Sequence, residues 1–138
     1  MSFRIHVCLM ITFVLAALLI APGHAIFAQE GHPLAGTWYG EWGPTAKRIQ
    51  ITVVMSWDGK NITGMINPGP DAMTVKAATL DSTKWAVHIE ADGKDDKGQP
   101  VHFVADGKLE NVGSHNRTIT GTWNSGATKS DFKLRRDD

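Results

Sequence analysis

Residues 48–66 read RIQITVVMSWDGKNITGMI, and this stretch decides the fold. Apolar side chains stand at every second position from Ile49 to Trp57, which is the period of a β-strand with one face in a core. Asp58-Gly59 then supplies the residue pair that favours a tight hairpin turn. A shorter strand follows at residues 62–66. The stretch therefore predicts an antiparallel hairpin within a larger sheet.

The same pattern of short strands and turns extends on both sides of this hairpin, from Leu34 to Leu134 and slightly beyond. No segment after residue 28 combines helical periodicity with capping residues, so we expect no substantial helix. Short links between consecutive strands favour an up-and-down order. The sequence predicts an all-β fold, a single eight-stranded antiparallel meander barrel, with strands at about 34–42, 48–57, 62–66, 73–80, 84–91, 101–110, 117–124 and 130–136.

The first 28 residues have the features of a cleaved signal peptide. Arg4 and His6 precede an apolar run at residues 7–21, and the small residues of 25–28 follow it. The run is shorter than the roughly 20 residues that span a bilayer. We therefore expect cleavage after Ala28, with Ala25 as the second choice of site, a barrel domain at residues 29–138, and a secreted or periplasmic location.

Composition narrows the classes of partner. The lone cysteine, Cys8, lies in the leader, so the processed chain would have neither a disulfide nor a cysteine-ligated metal. The formal net charge is zero at pH 7, and acids and bases are interspersed, which argues against nucleic acid and anionic membranes. Charged residues at outward strand positions also argue against an outer-membrane barrel. We predict no membrane partner after processing.

Three features resemble the calycin superfamily of lipocalins, fatty-acid-binding proteins and avidins. Gly36-Thr37-Trp38-Tyr39 opens the first strand, eight strands form the meander, and basic residues lie on the last strand. The resemblance implies a barrel that binds small, largely apolar molecules. It also implies structural roles for Gly36, Gly121, Trp85 and Trp38, with Trp38 packed under Arg135 or Lys133.

The likeness to avidins is partial. Gly40 and Pro44 stand where avidin-type proteins place polar biotin contacts, and Ile66 and Pro68 stand where a tyrosine and a serine are expected. The resemblance therefore implies the scaffold and not biotin as the ligand.

Alternate turns of a meander lie at the same end, so the longer links at 43–47, 67–72, 92–100 and 125–129 share one rim. We expect this rim to be the binding mouth. The opposite end would be plugged by Trp57, Trp85, Leu109, Ile119 and Leu134. Interior residues near the mouth would be Trp42, Ile49, Ile66, Ile89, Phe103, Trp123 and Phe132.

Two interpretations of the mouth aromatics stay open. They fill a narrow barrel, or they form a stacking floor for a small apolar or aromatic ligand. The ligand-binding residues would then be Trp42, Phe103 and Trp123 for stacking, and Thr45, Asn67, Asn124 and Ser125 for hydrogen bonds. If the barrel is filled, the alternative function is an interaction module, including a homo-oligomer formed through the outward residues Val54, Met65, Ala86 and Val104.

No residue pattern indicates catalysis, a cofactor or a metal centre. His88 and His102 lie on neighbouring strands of one hairpin with a midpoint near residue 95, so they are expected to face each other on the outer surface. A zinc site would need a third ligand, for which only Glu90 is near, so we interpret both as surface histidines. The carboxylates lie mostly at turns, and neither a nucleophile elbow nor a phosphate loop is present.

We predict that the exported protein begins at Gln29, because Ala28 supplies the small residue that signal peptidase requires. Intact-mass measurement of the exported protein tests this. A mass that retains residues 1–28 would show a membrane-tethered barrel instead.

Overall fold

The computed structural model of the protein describes residues 31–137, so the predicted signal peptide at 1–28 lies outside the described residues. None of the described residues forms a helix long and apolar enough to cross a membrane. The eight predicted strands are all present: β1 Gly36–Trp42, β2 Ile49–Trp57, β3 Ile62–Ile66, β4 Met73–Asp81, β5 Ala86–Lys94, β6 Pro100–Glu110, β7 Thr118–Ser125 and β8 Thr128–Asp137.

Every neighbouring pair of strands is antiparallel, and β1 also pairs with β8. The sheet is therefore a closed barrel in sequence order, which confirms the predicted meander. The rims are also as expected: the links before β2, β4, β6 and β8 lie at one end, and the links before β3, β5 and β7 lie at the other. We refer to them as the open end and the closed end.

Alternate residues of each strand point into the barrel and form one continuous apolar core. No polar or charged residue among those described is buried. Trp38 is fully buried in this core, and its indole N–H donates to the carbonyl oxygen of Leu34 at 2.8 Å. The hydrogen bond satisfies the one polar atom of that side chain, so burial of the ring does not carry the free-energy cost of an unpaired donor.

The residues before β1 cover the closed end of the barrel. The sequence pattern predicts that Leu34 already lies in the first strand. Instead, residues 31–35 form a turn, in which the Ala35 amide donates to His32 at 2.8 Å, and Leu34 is fully buried. The His32 ring lies 5.9 Å from that of Trp57. Burial of His32 lowers the pKa of its imidazole.

The basic side chain beside the start of β1 is that of Arg136, not Arg135 or Lys133. Arg136 is half-buried and pairs with Trp38 in the β1–β8 register, whereas Arg135 and Lys133 are exposed. A Cβ atom at Gly36 would lie 3.0 Å from Nε of Arg136. The reason is the phase of β8: Phe132 and Leu134 are buried, so the next inward position is residue 136.

Three further details differ from expectation. Ile49 is 46% exposed because it lies at the open rim, where no neighbour covers it. Trp85 precedes β5 in a turn with a positive φ of 55°, and its carbonyl accepts from the Leu109 amide at 2.8 Å. A bulge between Val75 and Ala77 shifts the register of β4 against β5.

The barrel is narrow enough to need glycine where neighbouring groups approach closely. A Cβ atom at Gly107 would lie 2.6 Å from the backbone oxygen of Thr120 on β7 and 3.1 Å from Cζ of Phe132, so this glycine leaves room for both the neighbouring strand and the ring. A Cβ atom at Gly40 would overlap the backbone carbonyl of Lys133 on β8. Contact with backbone cannot be relieved by a change of rotamer, so closure between β1 and β8 depends on Gly40.

We expect Gly40→Ala to destabilise the barrel by about 1–3 kcal/mol because the two strands must separate to admit the methyl group. Gly113→Ala is the matched control, since nothing lies within 4 Å of a Cβ atom at that position. Urea unfolding of both variants measures the difference. Equal midpoints for the two would contradict close packing at the β1–β8 seam.

Candidate functional site

Three aromatic rings meet inside the open end of the barrel. The ring centroids of Trp42 and Trp123 lie 4.8 Å apart, those of Trp42 and Phe103 lie 5.4 Å apart, and both pairs are stacked. Phe103 and Trp123 are 5.9 Å apart and tilted. The structure thus brings together the three residues for which the sequence predicted stacking. We name Trp42, Phe103 and Trp123 the aromatic trio.

The members of the trio differ in exposure. Trp42 and Trp123 are each 7% exposed, whereas Phe103 is only half-buried. Phe103 is therefore the ring that a molecule at the open end would meet first. Ser125 pairs with Phe103 in the β6–β7 register, which places this hydroxyl residue at the same rim.

The indole nitrogen of Trp123 is the polar atom of the trio that stands out. Nε1 is buried, and no group in the described chain accepts its hydrogen bond. By contrast, Nε1 of Trp38 has a backbone partner. A buried N–H without an acceptor costs about 1–3 kcal/mol, and native proteins rarely leave one in that condition. Such a donor is suited to an acceptor that comes from outside the chain.

Arg48 holds the rim beside the trio. Its Nη1 donates to the carbonyl oxygens of Gly43 at 2.9 Å and Asp131 at 3.0 Å, and its Nη2 donates to Asp131 Oδ2 at 2.7 Å. Its Nε lies 3.7 Å from Glu41 Oε1. The hydrogen bond from Arg48 lowers the pKa of the Asp131 carboxyl. This contact between the β1–β2 link and β8 was not anticipated, because 83 residues separate its partners.

The predicted polar binding residues are not gathered around the trio. Thr45 is exposed in the β1–β2 link. Asn124 follows the inward Trp123 and so belongs to the outer face, where it lines a groove together with His102 and Val104. Ser125 lines the same groove where it reaches the open end of the barrel.

Asn67 has a backbone role at the end of β3. It adopts a positive φ of 51°, and its side-chain oxygen accepts from the Thr52 amide at 2.9 Å. Its own amide donates to the Thr52 carbonyl at 2.7 Å. Asn67 thus extends the pairing of β3 with β2 beyond the last regular residue, in a conformation that asparagine tolerates better than most residues.

A surface cleft of about 600 Å³ lies at the open end between the β3–β4 link and the β5–β6 hairpin. The trio does not line it. Four carboxylates and one lysine do, so it is not suited to an apolar molecule: Asp71, Asp92, Lys94, Asp95 and Asp96.

The two histidines of the outer face do not face each other, contrary to expectation. His88 pairs with Asp106 and His102 pairs with Asp92, while Glu90 lies between them. The hairpin turn is centred two residues later than expected, because Asp95 Oδ1 accepts from the amides of Lys97 and Gln99. That turn pattern, an aspartate followed by Gly98 with its positive φ of 76°, was the signal that would have set the correct register.

Comparison of the chain with protein-family models, with curated proteins and with solved structures finds no match.

We predict that Asn67→Ala lowers the free energy of unfolding by about 1–2 kcal/mol, because it removes the hydrogen bond to Thr52 and puts alanine at a positive φ. Asn61→Ala, in an exposed turn, is the control and should change it by less than about 0.5 kcal/mol. Denaturant melts provide the measurement. Wild-type stability for Asn67→Ala would refute the structural role.

Proposed function

We propose that the protein is a secreted or periplasmic binding barrel that takes a small, flat, largely apolar or aromatic molecule at its open end. The observation that carries the proposal is the buried N–H of Trp123, which has no acceptor among the described residues. It lies within a group of stacked rings that offers an apolar surface. Aromatic surface plus a few polar groups is the usual composition of a small-molecule site.

The chemistry of the trio restricts the ligand. An aromatic plane would stack against Phe103, and a carbonyl, ether or ring-nitrogen acceptor on the ligand would satisfy Trp123 Nε1. Because Nε1 is covered in the ligand-free barrel, we infer that the half-buried ring of Phe103 turns aside when the ligand binds. The proposed activity is binding, without a chemical step.

The architecture supports the same proposal. A closed eight-stranded antiparallel barrel is consistent with a calycin-like fold, and barrels of this size hold one small ligand or fill with side chains. Residues 1–28 have the pattern of an export signal, which fits a carrier that acts outside the cytoplasm.

A second candidate is an interaction module with a filled barrel. The specific observation in its favour is that Trp42 and Trp123 cover each other to 7% exposure, so the rings already fill the open end. The outer face would then be functional. Met65 on β3 and Tyr39 on β1 are each 47% exposed, and Met65 pairs with Val54 on β2.

Tryptophan emission of the wild-type protein, titrated with fatty acids, flavonoid-like aromatics, haem and biotin, tests the binding proposal. For a ligand that responds, Trp123→Phe keeps an aromatic ring but removes the N–H. We expect its affinity to fall by about 1 kcal/mol, roughly fivefold. Trp57→Phe at the closed end is the control and should leave the affinity unchanged.

Absence of any response or melting shift across the panel would overturn the binding proposal. In that case the filled-barrel candidate makes its own forecast. Met65→Asp should then abolish self-association in sedimentation experiments, while Lys60→Asp, which changes the charge at an exposed turn, should not.

A further inference from the structure

The outer face of β5 and β6 carries a continuous row of imidazole and carboxylate groups. His88 Nδ1 lies 2.6 Å from Asp106 Oδ1, and its Nε2 lies 2.9 Å from Glu90 Oε1. His102 Nδ1 lies 2.6 Å from Asp92 Oδ1, and its Nε2 lies 3.3 Å from Glu90 Oε2. Each of the four ring nitrogens is therefore within hydrogen-bond distance of a carboxylate. We name these five residues the His–carboxylate row.

The number of protons that these contacts require follows from the chemistry of the groups. A neutral imidazole has one N–H, and an ionised carboxylate can only accept. Two neutral rings could satisfy two of the four contacts, and the other two would set a nitrogen lone pair against a carboxylate oxygen. An imidazolium donates from both nitrogens, so two protonated rings satisfy all four.

A protonated carboxyl group is the alternative source of the missing hydrogens. Its ordinary pKa is about two units below that of imidazole, so a proton in the row resides on a ring in preference to an oxygen. The arrangement is complete when both histidines are charged and all three acids are ionised.

We propose that the His–carboxylate row is a two-proton binding site, in which His88 and His102 are both imidazolium in the folded barrel and share Glu90 as their counter-ion. The electrostatics agree with the geometry. Hydrogen bonds donated to Asp106 and Glu90 raise the pKa of His88, and the bond donated to Asp92 raises the pKa of His102. The bond from His88 lowers the pKa of Glu90.

The charges around the row favour the protonated form. Nζ of Lys76 on β4 lies 3.9 Å from Oδ2 of Asp92 and adds a further positive charge beside the row. With both rings protonated, the row and Lys76 balance three positive against three negative charges; with both neutral, two negative charges remain in excess. The other charged residues on the outer faces of the packed strands are Asp81 of β4, Lys94 of β5, and Lys108 and Glu110 of β6; uncharged neighbours include Thr79, Val104, Thr122 and Asn124.

A metal ion is the obvious competing occupant, and the register argues against it. His88 precedes Glu90 on β5, whereas His102 lies opposite Asp92, beyond Glu90. The rings thus approach the carboxylate from opposite sides and contact different oxygens, whereas a metal needs donors that converge on one point. Within residues 31–137, no group of three or more potential ligands is placed to hold a metal.

The proton site makes the stability of the hairpin depend on pH with a definite sign. A histidine whose pKa is raised in the folded state stabilises the fold. Its contribution is complete below the unfolded-state pKa of 6.5 and is lost as the pH rises through the folded-state pKa. Glu90, with a lowered pKa, stabilises above its unfolded value of 4.5. The contribution of the row to the free energy of unfolding is therefore greatest between about pH 5 and 6.5 and decreases in mild alkali.

Nuclear magnetic resonance titration of the two imidazole Cε1–H signals in the mature protein tests the proposal. We expect both signals to titrate above pH 6.5, and the urea midpoint to decrease from pH 6 to pH 8.5. Titration of either ring at or below pH 6.5 would overturn the proposal, whatever the variants described next show.

Three substitutions test the shared counter-ion. Asp106→Asn should lower the titration midpoint of His88 more than that of His102, and Asp92→Asn should do the reverse. Glu90→Gln should lower both midpoints, since both rings contact this carboxylate. Glu110→Gln, on the same face of β6 but outside the row, is the matched control and should move neither midpoint.

A merely structural surface salt bridge would respond differently. In that case Glu90→Gln would move one midpoint alone, and the idea of a shared site would be wrong. One equivalent of zinc chloride at pH 7.5 should leave both signals unshifted. A stoichiometric zinc shift reversed by a chelator would assign the row to a metal and overturn the proton site.

Discussion

The antiparallel pairing of β1 with β8 closes the sheet, and the rest of the structure depends on this closure. It removes the two free edges that an open sheet of eight strands would expose. It also limits the space inside the barrel, so large side chains and neighbouring strands need small residues where they approach closely. Gly107 leaves room for the ring of Phe132, and Gly40 leaves room for the backbone of β8.

Alternation of apolar residues predicted the number, order and approximate bounds of the strands, because a half-buried strand must repeat every two residues. It predicted which rings meet at the open end for the same reason. It could not locate features that depend on where a strand ends. Ile49 has the inward phase but lies at the rim, and Leu34 lies before β1 but is buried by the turn at 31–35. Contacts distant in sequence, such as Arg48 with Asp131, were also beyond a local pattern.

Register across a hairpin is set by its turn, and the turn between β5 and β6 lies two residues later than the sequence pattern predicts. Gly93 and Gly98 both lie in the link that the sequence pattern predicts at 92–100. Gly93 belongs to β5, and the turn itself is made by the Asp95 carboxylate, which accepts from two backbone amides. A turn centred two residues later brings each histidine opposite an aspartate in place of the other histidine. Because each histidine lies opposite an aspartate and not opposite the other histidine, the two rings form a row of ion pairs with carboxylates in place of the expected His–His pair.

The β5–β6 hairpin joins the two proposed sites. Phe103 points into the barrel as part of the trio, while its neighbour His102 points outward into the row. If protons stabilise the outer face of this hairpin and a ligand displaces Phe103 on its inner face, both act on the same strands. Linkage is reciprocal, so ligand binding must then shift proton affinity by the factor with which protons shift ligand affinity. If displacement of Phe103 also moves β6, protonation of the row opposes that movement, and mild alkali then favours binding.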